Sequence, residues 1–156
     1  MNEALSQTEG IARAAFAEIA ARFPRLEIIE EAGVPVEISL RVPAQEGLKH
    51  SVWLAFQNDD ELHFAVGHFW FEWFPCTDQG KVRSFVDAVT GFLSGSYRSL
   101  EHYRGTDCFK AKLQRRTGND WETIATWSKI RWPSFRRVTY KEITNVQQMS
   151  QIEPDL

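Results

Sequence analysis

The residues with the widest chemical repertoire in this chain are four histidines and the two cysteines Cys76 and Cys108. His63 and His68 are five residues apart, which places them on opposite faces of an extended strand. His68 and Glu72 share a face, but they lie roughly 13 Å apart and cannot hold one ion together. The sequence contains no C-x-x-C or H-x-x-x-H pattern. We therefore expect these residues to bind no metal ion and no cofactor.

A nucleophile activated by a neighbouring base is the second chemistry that such residues could supply. Cys108 and His102 are close in sequence, but alternation along a hairpin predicts that they point to opposite faces. Cys76 precedes a predicted helix, where a thiolate would be stabilised, yet we interpret it as a buried packing residue. No glycine-rich phosphate loop and no G-x-S-x-G motif occurs. The sequence thus predicts no catalytic residues, and a non-enzymatic protein is favoured.

A small-molecule pocket beside His68, Trp70 and Glu72 is an alternative. These three residues share a face if the aromatic stretch that contains them is one strand. Polar groups within such a stretch must be hydrogen bonded or open into a cleft. An enzyme or small-ligand binder with its pocket at these residues is therefore one of the hypotheses.

Cations and aromatic residues in the second half of the chain form the pattern that most specifically indicates binding. Alternation along two predicted hairpins places them on the sheet face directed away from Leu113 and Ile124. The residues of this expected partner-binding face are Lys110, Lys112, Arg116, Trp121, Trp127, Lys129 and Arg131. Arg and Trp anchor protein interfaces, whereas cations beside flat rings also suit single-stranded nucleic acid.

Charge is distributed unevenly along the chain. Residues 1–80 hold 5 Lys and Arg against 13 Asp and Glu, whereas residues 81–156 hold 13 against 8. The two halves could attract each other within one fold, or the second half could present a basic face to an anionic partner. The pI of about 5.8 argues against nucleic acid, whose binding depends on phosphate neutralisation. An acidic protein is therefore the favoured partner, and single-stranded nucleic acid is the alternative.

Helical periodicity predicts two helices, which must pack on the strands that carry the candidate binding residues. The S-x-x-E pattern at Ser6 is typical of a capping box, and apolar residues at helical spacing follow over about 7–22. Asp78 and Gly95 bound a second predicted helix, which has a clear apolar stripe. Alternating apolar residues between and after the helices predict strands.

The aromatic stretch from Glu61 to Phe74 is expected to form one central strand, because apolar side chains occupy both of its alternating faces. Phe69, Phe71 and Trp73 lie on one of these faces. Two helices are too few to cover so many aromatic residues, so a homodimer contact through these three side chains is one expectation.

Two Gly-led dipeptides in the second half predict two-residue hairpin loops. In that register Glu101 faces Lys110 and Arg115 faces Glu122, so opposite charges meet in both hairpins. A slip of one residue would reverse the face assignment of every side chain in the strand concerned.

Together these patterns predict a single α+β domain over residues 1–156. Two helices pack on a mostly antiparallel sheet of about seven or eight strands, with a helix followed by a meander in each half. The polar tail from about Ile143 is expected to fray.

The expected location is cytoplasmic. The N-terminus has no basic-then-apolar leader, no apolar run is long enough to cross a membrane, and two unpatterned cysteines suit a reducing compartment. No membrane association is expected. The favoured function is a small interaction protein that neutralises or chaperones an acidic protein.

Overall fold

The computed structural model of this chain describes residues 3–130 and 132–146, with side chains described from Gln7 onward. Its helices are α1 (Glu3–Arg22) and α2 (Gln79–Ser94). The strands are β1 (Ile29–Glu30), β2 (Ile38–Val42), β3 (Val52–Gln57), β4 (Glu61–Val66), β5 (Phe69–Trp73), β6 (Tyr97–Arg104), β7 (Asp107–Thr117), β8 (Asp120–Ser128) and β9 (Val138–Ile143).

The expected α+β class, with two helices and antiparallel strands, is confirmed. In the described residues, however, nine strands form two sheets, where one sheet of seven or eight was predicted. The first sheet has the order β1-β2-β3-β4-β5, and the second has the order β8-β7-β6-β9. Helix α2 contacts α1, two strands of the first sheet and β6 of the second, so one continuous core joins both sheets.

The ends of α2 lie where the sequence predicts them. The Asp78 side chain accepts a hydrogen bond from the backbone N–H of Gly80 (2.8 Å), and Gly95 ends the helix in the left-handed conformation. Helix α1 begins at Glu3, so the predicted start at the Ser6 capping box is wrong. The preceding residues are good helix formers and extend the helix. Within the described residues neither helix is both long and apolar enough to cross a membrane.

The stretch from Glu61 to Phe74 forms a β-hairpin, so the prediction of a single strand is wrong. The chain reverses at Gly67 and His68, between β4 and β5. Gly67 has a φ of +57°, a left-handed conformation that residues with a Cβ rarely adopt. A run of apolar residues on both alternating faces is compatible with one buried strand or with the two strands of a buried hairpin. The glycine at the turn allows the chain to reverse and so favours the hairpin.

This reversal collects the apolar side chains of β4 and β5 on one face of the first sheet. The cross-strand pairs on that face are Leu62 with Trp73, Phe64 with Phe71 and Val66 with Phe69. All six pack in or against the core. Phe69 and Trp73 are buried and Phe71 is partly buried against the same core, so these three side chains are largely covered within one chain; the expected homodimer stays a prediction.

The hairpin between β6 and β7 keeps the predicted register only near its turn. A β-bulge at Phe109 shifts the register by one residue, so Glu101 lies opposite Ala111 and the predicted pairing with Lys110 is wrong. Glu101 consequently lies on the buried inner face of the second sheet, whereas Lys110 lies on the outer face. The Phe109 ring packs against the His102 ring, with 6.2 Å between centroids.

The hairpin between β7 and β8 contains a second bulge. Arg115 lies opposite Glu122 as predicted, with Nη2 2.5 Å from the carboxylate. Beyond this pair Ile124 is left unpaired, and Trp127 lies opposite the buried Ala111. Trp127 therefore packs against the core, and Ile124, expected in the core, is exposed.

The last described residues are anchored, in contrast to the fraying expected from about Ile143. Ile143 is buried, and so is Asn145, whose side-chain amide donates a 2.7 Å hydrogen bond to the Leu93 carbonyl. The Lys49 backbone N–H donates to Asn145 Oδ1 (3.1 Å). The predicted tail beyond these residues, 147–156, lies outside the described part.

Replacing Gly67 by Ala should destabilise the protein more than replacing Gly118 by Ala. Both glycines have positive φ, +57° and +64°, so both variants carry backbone strain of about 1 kcal/mol. A Cβ at Gly67 would also lie 2.7 Å from Glu101 Oε2, whereas no described atom lies within 4 Å of a Cβ at Gly118. Urea denaturation of both variants measures the difference, and equal losses would show that the contact with Glu101 contributes nothing.

Candidate functional site

The outer face of the second sheet carries most of the predicted partner-binding residues. Alternation along β7 directs Lys110, Lys112 and Arg116 outward, because the intervening Ala111 and Leu113 are buried. The cross-strand and neighbouring positions add two aromatic rings and an arginine. We call this surface the basic face; its residues are Arg98, Lys110, Lys112, Arg116, Trp121 and Tyr140.

Ion pairs neutralise only part of the basic face. Arg98 forms an ion pair with Glu142, and its guanidinium also lies over the Trp121 ring, 4.2 Å from the centroid. Within the part of the chain that the structure describes, no carboxylate forms an ion pair with the three outward cations of β7. This surface is therefore positively charged.

The only ionisable ring of β6 on this side adds no charge at neutral pH. Burial lowers the pKa of His102, which is only 9% exposed, and the positive charges of Lys112 and Lys110 lower it further. The lowered pKa of His102 is the direction of shift that a positively charged surface produces. His102 lies on the outer face and Cys108 on the inner face, so the two side chains point to opposite sides of the sheet.

Residues 129–130 and 132–137 lie between β8 and β9 and pass the β6–β7 end of the second sheet, at which Lys110 and Tyr140 of the basic face also lie; we call them the aromatic segment. Its large apolar side chains are almost completely exposed: Ile130 104%, Trp132 90% and Phe135 107%. Arg104 Nη1 donates a 2.8 Å hydrogen bond to the Ser134 carbonyl and fastens the segment to β6. Exposure of three such side chains is unfavourable in water unless a partner covers them.

The structure thus confirms the positions of only some predicted site residues. Lys110, Lys112, Arg116 and Trp121 share one face. Trp127 lies on the opposite side, and the Nζ of Lys129 is 2.5 Å from Asp107 Oδ1. Arg131 lies outside the described residues.

A buried polar cluster lies on the inner face of the second sheet, where the β4–β5 turn contacts it. Glu101 is 1% exposed and accepts hydrogen bonds from the His68 backbone N–H (2.6 Å) and the Tyr103 hydroxyl (2.7 Å). His68 Nδ1 lies 3.1 Å from Glu101 Oε2. The turn at Gly67 places His68 there, because the absent Cβ allows the carboxylate to approach the backbone.

These hydrogen bonds determine the ionisation of the cluster. Burial by itself raises the pKa of Glu101, but hydrogen bonds from the His68 N–H, the Tyr103 hydroxyl and the His68 ring outweigh burial and lower it. Burial raises the pKa of Tyr103 and of Cys108, and the negative charge of Glu101 adds to both shifts. The carboxylate is therefore ionised, whereas the thiol is protonated and is not an activated nucleophile.

The structure does not bring His68, Trp70 and Glu72 together on one face. The hairpin turn directs His68 toward Glu101 in the second sheet. Trp70 and Glu72 lie on the outer face of the first sheet, opposite Ala65 and His63. The expected common face is wrong because it assumed that all three residues lie on one continuous strand, whereas the pocket itself stays a prediction.

His63 is held by hydrogen bonds at both ring nitrogens. The Trp70 indole N–H donates to Nδ1 (3.0 Å), and Nε2 lies 3.0 Å from Glu61 Oε2. The ring is buried and stacked on Trp70, with 5.5 Å between centroids. With Nδ1 accepting, the proton is on Nε2, and neither nitrogen is available as a base or a ligand. Cys76 is also buried, and burial raises its pKa, in agreement with a packing role.

Comparison of the chain with protein-family models, with curated proteins and with solved structures finds no match. The functional proposals therefore rest on the geometry and charge of this chain.

Replacing Trp127 by Ala should destabilise the protein by about 3 kcal/mol, because this ring packs on the core. Trp121→Ala removes a ring of the same size from the outer face and should cost less than about 1 kcal/mol. Chemical denaturation of both variants measures the two losses. A larger loss of stability for Trp121→Ala than for Trp127→Ala would mean that the face bearing Trp121, rather than the face bearing Trp127, packs on the core.

Glu101→Gln should destabilise the folded protein by about 2 kcal/mol, because hydrogen bonds to a buried charged acceptor are among the stronger ones. Glu122→Gln is the matched control, since its ion pair with Arg115 is exposed and should contribute little. Thermal and urea unfolding provide the comparison. Equal stability of the two variants would mean that the carboxylate charge of Glu101 is unimportant for folding.

Proposed function

We propose that this protein is a small non-enzymatic interaction protein that binds an acidic protein through the basic face and the aromatic segment. Its role would be to neutralise or chaperone that partner. The observation that carries the proposal is the nearly complete exposure of Ile130, Trp132 and Phe135 at one end of a sheet face whose β7 cations form no ion pair with any described carboxylate.

The aromatic segment has the properties of an interface anchor. Large rings bury much area when a partner covers them, and a few such residues usually supply most of the binding energy. Trp132 and Phe135 are already exposed in the free chain, so binding would need little rearrangement of the core. The hydrogen bond from Arg104 to Ser134 reduces the freedom that the segment would lose on binding.

Charge supports an acidic partner. Lys110, Lys112 and Arg116 project from one strand without carboxylate partners among the described residues. A surface of one sign steers an oppositely charged protein and disfavours partners of like charge. The same cations and rings could bind single-stranded nucleic acid, which is the second candidate. The acidic pI of about 5.8 favours the protein partner.

A cytoplasmic site of action fits this proposal. The two cysteines, Cys76 and Cys108, are free and buried. Unpaired buried thiols are typical of proteins from reducing compartments.

Charge reversal on the basic face should abolish partner capture. We would immobilise the wild-type chain and the variant Lys110→Glu, Lys112→Glu, Arg116→Glu, then apply nuclease-treated extract of the source cell. The control variant, Arg25→Glu, Lys49→Glu, Lys81→Glu, makes the same net charge change at exposed positions elsewhere. Mass spectrometry should find an acidic protein on the wild type and the control, at least tenfold depleted on the basic-face variant.

Equal capture by both triple variants would refute the proposal, because net charge alone would then explain binding. Loss of all capture after nuclease treatment, with tight binding of single-stranded RNA by the purified chain, would establish the nucleic-acid alternative. Increasing salt should weaken the specific complex, since charges steer its formation.

The aromatic segment can be tested separately with the captured partner. Trp132→Ala and Phe135→Ala should each weaken binding by about 2 kcal/mol, roughly 30-fold, while the melting temperature stays the same. Phe74→Ala is the control, because this exposed ring lies at the end of the first sheet. An unchanged dissociation constant for both segment variants would show that the exposed rings do not contact the partner.

A further inference from the structure

Three side chains with different metal-binding atoms converge at the contact between the two sheets. A ring nitrogen of His68, a carboxylate oxygen of Glu101 and the Sγ of Cys108 all lie within 4.8 Å of one another. They come from the β4–β5 turn, from β6 and from β7, so only the folded chain brings them together. Glu101 and Cys108 are buried, whereas the His68 side chain is 53% exposed.

Among the described residues, the carboxylate of Glu101 has no permanent positive partner. Its hydrogen-bond donors are the His68 backbone N–H, the His68 ring and the Tyr103 hydroxyl. Within residues 3–130 and 132–146, no Lys or Arg forms an ion pair with it. A buried carboxylate is costly without a compensating charge, and a bound divalent cation would supply that charge.

We propose that His68, Glu101 and Cys108 form a binding site for a zinc ion. Zinc accepts thiolate sulfur, imidazole nitrogen and carboxylate oxygen, and three protein ligands leave a fourth position for water. The thiolate in this set disfavours magnesium and calcium, which prefer oxygen ligands. Bond lengths of about 2.0 to 2.3 Å place the ligand atoms of a tetrahedral zinc about 3.3 to 3.7 Å apart. The half-exposed His68 ring can make the small adjustment that this geometry requires.

Zinc binding at this site would release protons from the ligand side chains. The Cys108 thiol loses its proton when it becomes a ligand, and the coordinating His68 nitrogen must also be unprotonated. The Tyr103 hydroxyl, 3.3 Å from His68 Nδ1 and 2.7 Å from Glu101 Oε1, remains as a hydrogen-bond partner of the ligands. A bound ion would fasten the β4–β5 turn of the first sheet to β6 and β7 of the second.

This proposal departs from the sequence-based expectation of no metal site. Spacing along one strand separates His68 from every other ligand residue. The turn at Gly67 and the bulge at Phe109 instead bring it to Glu101 and Cys108.

Cobalt(II) chloride is the probe, because cobalt replaces zinc and reports its ligands by absorption. Titration of the metal-free, reduced full chain should give tetrahedral d–d bands and a thiolate-to-cobalt charge-transfer band at one equivalent. Zinc chloride should displace the cobalt and raise the melting temperature, as any ligand specific for the folded state does. Cys108→Ser should remove the charge-transfer band and weaken zinc binding at least about 100-fold.

Cys76→Ser is the matched control, since Cys76 is the other buried cysteine and its Sγ faces the Thr8 carbonyl. It should retain the cobalt spectrum. His68→Ala gives a second test at a half-exposed position, and it should weaken zinc binding without unfolding the chain. Circular dichroism of each metal-free variant verifies folding. Absence of stoichiometric cobalt binding by the folded wild type, or a spectrum that survives Cys108→Ser, would overturn the proposal.

Discussion

The contact between the Glu101 carboxylate and the β4–β5 turn is the constraint on which the rest of the structure depends. A buried charge must be hydrogen bonded, and the His68 backbone N–H can satisfy it only because Gly67 has no Cβ. The turn therefore lies directly on the inner face of the second sheet. This contact joins the two sheets at a polar point, beside the apolar core that α2 shares with both.

Burial of Glu101 also determines which side of the second sheet meets the solvent. With Glu101, Ala111 and Trp127 directed inward, the alternating residues Lys110 and Lys112 must point outward. The two faces therefore differ chemically. The inner face carries Glu101 and Cys108, whose side chains have metal-binding atoms, whereas the outer face carries cations and aromatic rings. The uneven charge along the chain follows the same division, because β6 to β9 supply the basic face.

Local signals in the sequence are sufficient to predict part of this arrangement. Asp78 and Gly95 delimit α2 because capping involves only nearby backbone groups. The hairpin pair Arg115 and Glu122 lies next to its loop, so the turn alone determines its register. Alternation therefore predicts correctly that one face carries Lys110, Lys112, Arg116 and Trp121.

The remaining features depend on tertiary packing that no local pattern reports. The bulges at Phe109 and Ile124 shift each register by one residue relative to the predicted pairing. Glu101 and Trp127 consequently lie on the inner face, whereas the predicted register places both on the outer face. The apolar pattern of the sequence does not indicate the reversal at Gly67, because buried strands and buried hairpins have the same apolar composition. The convergence of His68, Glu101 and Cys108 follows from these two kinds of irregularity, so spacing in the sequence could not have found it.

Site-specific photocrosslinking tests most directly the claim that the outer side of the second sheet is the contact surface. A benzophenone amino acid would replace Trp121, Phe135 or, on the outer face of the first sheet, Trp70, and the cells would be irradiated before lysis. We expect crosslinks from positions 121 and 135 to the same acidic protein, and none from position 70. Crosslinks from position 70 alone would contradict it.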